Sequence, residues 1–180
     1  LVICDGFSRY TWCRLCRGKT SAEVCQAFKE FVAEVGCPRE VLTDWGTEFE
    51  GACRAYFLDK GIRGRKSCPY VSWQNGLVES RNRRLKDYSR KLLLHAGLGP
   101  EFWGHSIMTA CYLLNRKANK YCQDRSPYEC MFNRIPTVSH LRTFGSICYP
   151  LVEKQFRDPY DHKAKAEVCI FVGYDKQSTG

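Results

Sequence analysis

Apolar positions follow different rhythms along the chain, and each rhythm predicts a different element. Residues 1–4 and 10–15 are short β-rich runs, and the Asp5-Gly6-Phe7-Ser8 turn between them predicts antiparallel pairing. Thr20-Ser21-Ala22-Glu23 has the form of a capping box. Val24, Phe28, Phe31, Val32 and Val35 follow at helical spacing until Gly36 and Pro38 stop them. Residues 41–43 predict a short buried strand with Asp44 at its carboxyl end. A second helix is expected over 47–60, with Phe49, Cys53, Tyr56 and Phe57 inward and Gly61 as its stop; 62–65 is a weak strand. Residues 66–76 lack periodicity and carry Pro69, Asn75 and Gly76, which predicts a loop. Long helices are expected over 77–94 and 102–117, the latter apolar on one side through Trp103, Ile107, Ala110, Cys111 and Leu114.

The order strand, strand, helix, strand, helix, then further helices predicts a mixed α/β layer domain. The rhythm then changes. Residues 118–139 are polar with Pro127 and Pro136 and suit a linker or crossing segment, while 146–152 and 167–172 are β-rich pieces of a small all-β unit. No apolar run approaches the roughly 20 residues of a membrane-spanning helix. The start has no basic region ahead of an apolar one, so it is not a signal peptide. Opening at Leu1 inside an apolar run, with no initiating methionine, the sequence reads as a piece of something longer.

Composition changes the picture in two places. The 180 residues carry 28 Lys and Arg against 19 Asp and Glu, a net charge of +9. That surplus points to a polyanionic partner, although a basic surface also serves solubility. Twelve cysteines are scattered with a single CxxC at Cys13 and Cys16. Their plainer reading is free thiols acting as small hydrophobes in a reducing compartment. His95, His105, His140 and His162 show no zinc-ligand spacing with a cysteine pair.

Two acids stand where chemistry could gather. Asp44 ends a predicted strand and Glu79 opens a predicted helix, and strand ends and helix starts line one crevice in α/β domains. Hard oxygen donors of this kind suit Mg²⁺ or Mn²⁺. On position alone a simpler account serves as well, with Asp44 starting a turn and Glu79 favouring a helix N-terminus. The following helix balances the two readings. Arg83, Lys86 and Arg90 stand four, seven and eleven positions after Glu79, which at helical pitch keeps each within about 40° of it. Such a row could hold a phosphate backbone next to a metal, or could be a solvated basic face with a Glu79–Arg83 pair.

The stretches DGFSRYTW at 5–12, TDWGTEF at 43–49, KGI at 60–62 and SCPYVSWQNGLVESRNRRLKDYSRKLL at 67–93 resemble, in order, the integrase core of Ty1/copia-type retrotransposons. That core belongs to the retroviral integrase and ribonuclease H-like superfamily. FWGHSIMTACYLLNR at 102–116 and SPYE at 126–129 continue the resemblance. HLRTFGSICY at 140–149 and KAEVCIFVGYDKQSTG at 165–180 resemble the SH3-like segment that follows such cores. The resemblance implies a ribonuclease H-like integrase core over 1–118, a linker over 119–139 and a partial SH3-like unit over 140–180. It implies that Asp44 and Glu79 are the second and third acids of a D,D,E triad holding Mg²⁺ or Mn²⁺. Arg83, Lys86 and Arg90, with Gln74 and Asn75, would face DNA. The implied activity is 3′-end processing and strand transfer on element cDNA ends and target DNA. The parent protein would be a homo-oligomer in the nucleus or a cytoplasmic particle, with no membrane partner.

Three departures from that pattern bear on activity rather than fold. Trp45 stands where the family has Asn, Val71-Ser72-Trp73 replaces Thr-Pro-Gln, and the Asp44–Glu79 interval is one residue shorter than usual. Asp5 matches the family's second strand, not its first acid. The first acid is expected upstream, on a strand that would lie between 1–4 and 41–43. Two-thirds of the triad and two open strand edges are therefore expected here. The competing readings are a co-opted core that binds nucleic acid or protein without catalysis, and a nuclease of the same superfamily.

Overall fold

A computed structural model describes residues 1–44, 46–66, 72–151 and 166–174, with the backbone alone for 72–75. Trp45, Val71, the side chains of Ser72 and Trp73, and residues 152–165 and 175–180 of the expected SH3-like segment lie outside the described residues.

Strands β1 (Val2–Cys4) and β2 (Thr11–Cys13) form the expected antiparallel pair, with Val2 opposite Cys13 and Cys4 opposite Thr11. Asp5 makes the turn: its carboxylate accepts from the Ser8 N–H and the Ser8 hydroxyl, both at 2.6 Å. Helix α1 (Ser21–Val35) starts at the capping box, where the Thr20 hydroxyl accepts from the Glu23 N–H at 3.3 Å, and stops at Gly36. β3 (Glu40–Thr43) runs parallel to β4 (Arg63–Lys66), with Val41 opposite Gly64.

Side-chain alternation on β2 sorts the core into two layers. Trp12 packs with Ala27, Phe28, Phe31, Phe57 and Ile62 under α1 and α2 (Ala52–Asp59). Its neighbour Cys13 packs on the opposite side with Leu85, Ala110, Cys111 and Leu114, from α3 (Ser72–Ala96) and α4 (Trp103–Arg116). Asn115 ties α4 to β2. Its amide oxygen accepts from the Thr11 N–H at 2.9 Å and its amide nitrogen donates to the Thr11 carbonyl at 2.7 Å.

Several expectations need correcting. The second helix is split: Thr47–Phe49 is a separate 3-10 turn, and α2 begins at Ala52, because Gly51 takes φ 58° and breaks the helical path. The 41–43 strand is not buried. Leu42 is 42% exposed, since among the described residues β3 has a strand on one side only. α3 begins at Ser72 rather than 77, because one long packed helix overrides the weak propensity of Asn75 and Gly76. Trp103 is 56% exposed; as the first residue of α4 it lies outboard of the contact with α3.

The segment after α4 also has structure of its own. α5 (Pro127–Phe132) has Ser126 as N-cap, accepting from the Glu129 N–H at 3.1 Å, and Pro127 in its first turn. Within the expected linker, the Cys122 thiol donates to the Ser8 carbonyl and the Ser8 hydroxyl reaches the Met131 sulfur, which bring this stretch onto the β1–β2 turn. β5 (Ile147–Cys148) pairs antiparallel with β6 (Cys169–Ile170). Tyr174 stacks on Tyr112 of α4 with ring centres 4.3 Å apart, and the Tyr112 hydroxyl lies 2.6 Å from His140 Nε2. Gly145 sits at φ 81° against the end of α3, where a Cβ would overlap Ala96.

Among the described residues the two strand pairs do not hydrogen-bond to one another. A cavity of about 430 Å³ separates them, lined by Ile3 and Cys4 on one side, Val41 and Leu42 on the other, and Phe28 and Phe31 beneath.

Candidate functional site

The end of β3 and the second turn of α3 meet at a crevice of about 470 Å³, and Asp44 and Glu79 both line it. Leu42, Phe49 and Val78 are among its apolar lining, and Lys19, Glu48 and Asn82 among its further polar groups. Both acids are exposed at the mouth. Asp44 Oδ1 also accepts from the Gly46 N–H at 3.3 Å, so this carboxylate helps make its own turn. The plain turn-making role and the crevice position thus coexist.

Asp44 and Glu79 are hard oxygen donors of the kind a divalent cation takes. Among the described residues, no three His, Cys, Asp or Glu side chains converge closely enough to hold a metal ion. The crevice matches such an ion in donor type and falls short in donor number. Asp5 does not add to it: its carboxylate is held by Ser8 and it lines the neighbouring cavity.

Arg83, Lys86 and Arg90 are exposed on α3, on the side that carries Glu79. Among the described residues no carboxylate pairs with them, whereas Glu50 pairs with Lys66 and Glu40 with Arg65 at 3.0 Å. Gln74 and Asn75 stand in the first turn of α3.

Lys19, Glu48 and Asn82 were missed from the sequence. Asn82 carried a legible signal, three positions after Glu79 on one helix face. Lys19, before α1, and Glu48, in the 3-10 turn, reach the crevice only through tertiary folding.

No protein-family model matches the chain. The chain is 33% identical over 182 residues to the retrovirus-related Pol polyprotein from transposon TNT 1-94 of Nicotiana tabacum, across 98% of this chain and 13% of that polyprotein. It is 31% identical over 180 residues to the corresponding polyprotein from transposon RE1 of Arabidopsis thaliana, across 97% of this chain and 12% of the polyprotein. The chain thus spans 12–13% of the length of these relatives. Its fold is similar to that of the HTLV-2 integrase catalytic core domain, solved in complex with magnesium in a trimeric form. The TM-score is 0.62 at 23% identity, over 72% of this chain and 82% of that one.

Proposed function

The chain belongs with the retrovirus-related Pol polyproteins of copia-like transposons and has the fold of retroviral integrase catalytic cores, and from that premise we propose that it binds DNA along α3 and lends Asp44 and Glu79 to metal-dependent DNA integration. One observation carries this reading. The crevice that takes both acids opens on the face of α3 that carries Arg83, Lys86 and Arg90, which pair with no carboxylate among the described residues. Cations at helical spacing meet successive phosphates and fix the position of a duplex without reading its bases.

Asp44 and Glu79 would hold Mg²⁺ or Mn²⁺, which when bound polarises a phosphodiester and supplies an activated oxygen nucleophile. Arg83 and Lys86 would hold the DNA strand at the crevice mouth, Arg90 would extend the contact, and Gln74 and Asn75 would meet the DNA end. In this reading 1–118 is the core, 119–139 connects it, and 140–180 begins an SH3-like unit. The parent polyprotein's product would act as a homo-oligomer on element cDNA ends and target DNA, in the nucleus or a cytoplasmic particle.

The test is duplex binding measured across a salt series. Reversing charge at Arg83 and Lys86 together (R83E, K86E) should weaken binding and lower the salt slope by about 2, near one unit per lost phosphate contact. An unchanged slope would overturn the stripe. The count of two acids favours a second reading for this chain by itself, a DNA-binding module without turnover. A strand-transfer assay with Mn²⁺ on this chain and on one extended upstream separates the two. Activity in this chain that disappears with Asp5→Asn would show Asp5 to be the first acid.

A further inference from the structure

On the side of α3 turned away from Glu79, a second polar cleft of about 310 Å³ is lined by Arg9, Arg81, Arg84, Ser80 and Tyr121. Arg81 is the unexpected member. It falls on the buried stripe of α3 with Leu85, Tyr88 and Leu92, where the helical repeat calls for an apolar side chain. It is only 5% exposed.

A buried guanidinium is costly unless something charged compensates it. Among the described residues no carboxylate pairs with Arg9, Arg81 or Arg84. What faces Arg81 is sulfur. The Arg81 guanidinium donates toward the Cys4 sulfur, and its charge acts on the Cys122 thiol. Burial nonetheless raises both thiols above their ordinary value, so they stay neutral and supply no counter-charge. The neighbouring cations gather here too. Arg9 is held by a left-handed backbone at φ 62° and lies 5.3 Å from the centre of the Tyr121 ring, and Arg84 is exposed at the rim. The Ser80 and Tyr121 side chains bring hydroxyls to the same cleft.

We propose that this cleft binds a phosphate group, with Arg81 as its buried anchor and Arg9 and Arg84 closing on it from the rim. Three guanidinium forks and two hydroxyls match the several acceptor oxygens and negative charge of a phosphate. The site is separate from the Arg83–Lys86–Arg90 row, which lies on the opposite side of the same helix.

The test is calorimetric titration of the whole chain with inorganic phosphate at constant ionic strength. Binding should be saturable and should weaken about tenfold in Arg84→Gln and again in Arg9→Gln, as expected for loss of a charged hydrogen bond. Both residues sit at the rim, so these variants avoid the folding risk of Arg81→Gln. Arg81→Lys, which keeps the charge and loses the fork, should also weaken binding. The R83E, K86E double variant should leave the titration unchanged, which separates failure of this site from failure of the DNA stripe. Single strands with and without a 5′-phosphate then identify the source. Tighter binding of the phosphorylated strand assigns a terminal phosphate. Equal binding of both strands, lost in Arg84→Gln, assigns a backbone phosphodiester, and binding of the free ion alone assigns an inorganic phosphate site. No saturable heat with phosphate, or equal affinity in Arg84→Gln and Arg9→Gln, would overturn the proposal.

Discussion

The two strand pairs share a length scale and differ in almost everything else. In β1–β2, every residue of β2 is buried, Asn115 grips the Thr11 backbone from α4, and Cys111 donates to the Thr11 carbonyl. In β3–β4, all four residues of β4 are exposed, and Leu42 of β3 stands half in solvent beside the 430 Å³ cavity. The acids of the crevice are divided between these regimes. Glu79 rides on α3, which is packed through Leu85 into the inner layer, while Asp44 hangs from the end of β3. One carboxylate is held by the core and the other by a strand with an open edge. The distance between them is therefore set by whatever governs the cavity between the pairs.

Truncation in the firmly held region should give the largest effect. Leu85 is fully buried, and Leu85→Ala should cost about 3 kcal/mol in urea unfolding, from lost burial plus an unfilled hole. Asn115→Ala should cost about 2 kcal/mol by the same measurement, because it takes the side-chain acceptor from the buried Thr11 N–H and leaves the Thr11 carbonyl with the weak Cys111 thiol donor alone. A loss below about 0.5 kcal/mol for either, within the range of an ordinary surface change, would break the comparison.

Alkaline unfolding probes both sides at once. Burial pushes Tyr10, beside the β1–β2 turn, and Cys53, on α2, up to about 12, from 10.0 and 9.0. An acid raised in the folded state leaves the unfolded chain to lose its proton first. Stability is then full below pH 9.0 and falls as pH climbs toward about 12. Cys53→Ala should flatten the first part of that fall and Tyr10→Phe the later part, read from denaturation midpoints along a pH series. The smallest effect belongs to the open strand. Leu42→Thr should change stability by no more than about 0.5 kcal/mol, since the side chain is already half hydrated. A large loss there would mean that β3 is as firmly packed as β2.

Much of this was legible in the sequence where local chemistry decides. The capping box at Thr20–Glu23, the stop at Gly36 and the Asp5 turn all act over a few residues, and each stands where the pattern put it. The errors fall where distant packing decides. Asn75 and Gly76 look like a loop in isolation, yet α3 runs through them. Ser126-Pro127 is a good helix start that the polarity of its surroundings concealed. In the crevice, the strand-end and helix-start positions of Asp44 and Glu79 were enough to bring the two acids to one opening. Glu48 and Lys19 join it from segments whose local pattern says nothing about where they end up. Arg81 could have been noticed, since a cation in register with Leu85, Tyr88 and Leu92 breaks the apolar stripe.

The contact between Gly145 and Ala96 sets a limit on how the sequence can drift. Most surface positions tolerate substitution by degrees, but this pair has no intermediate setting. Any side chain at 145 meets both a left-handed backbone and the Ala96 methyl, and relieving only one leaves the other. A compensating change at 96 to glycine would remove the methyl but leave the residue-96 Cα 3.2 Å from the new Cβ, and it would put a poor helix former at the last residue of α3. Copies of this chain accumulating random changes should therefore keep position 145 or lose the seating of the segment that follows it, with few viable states between.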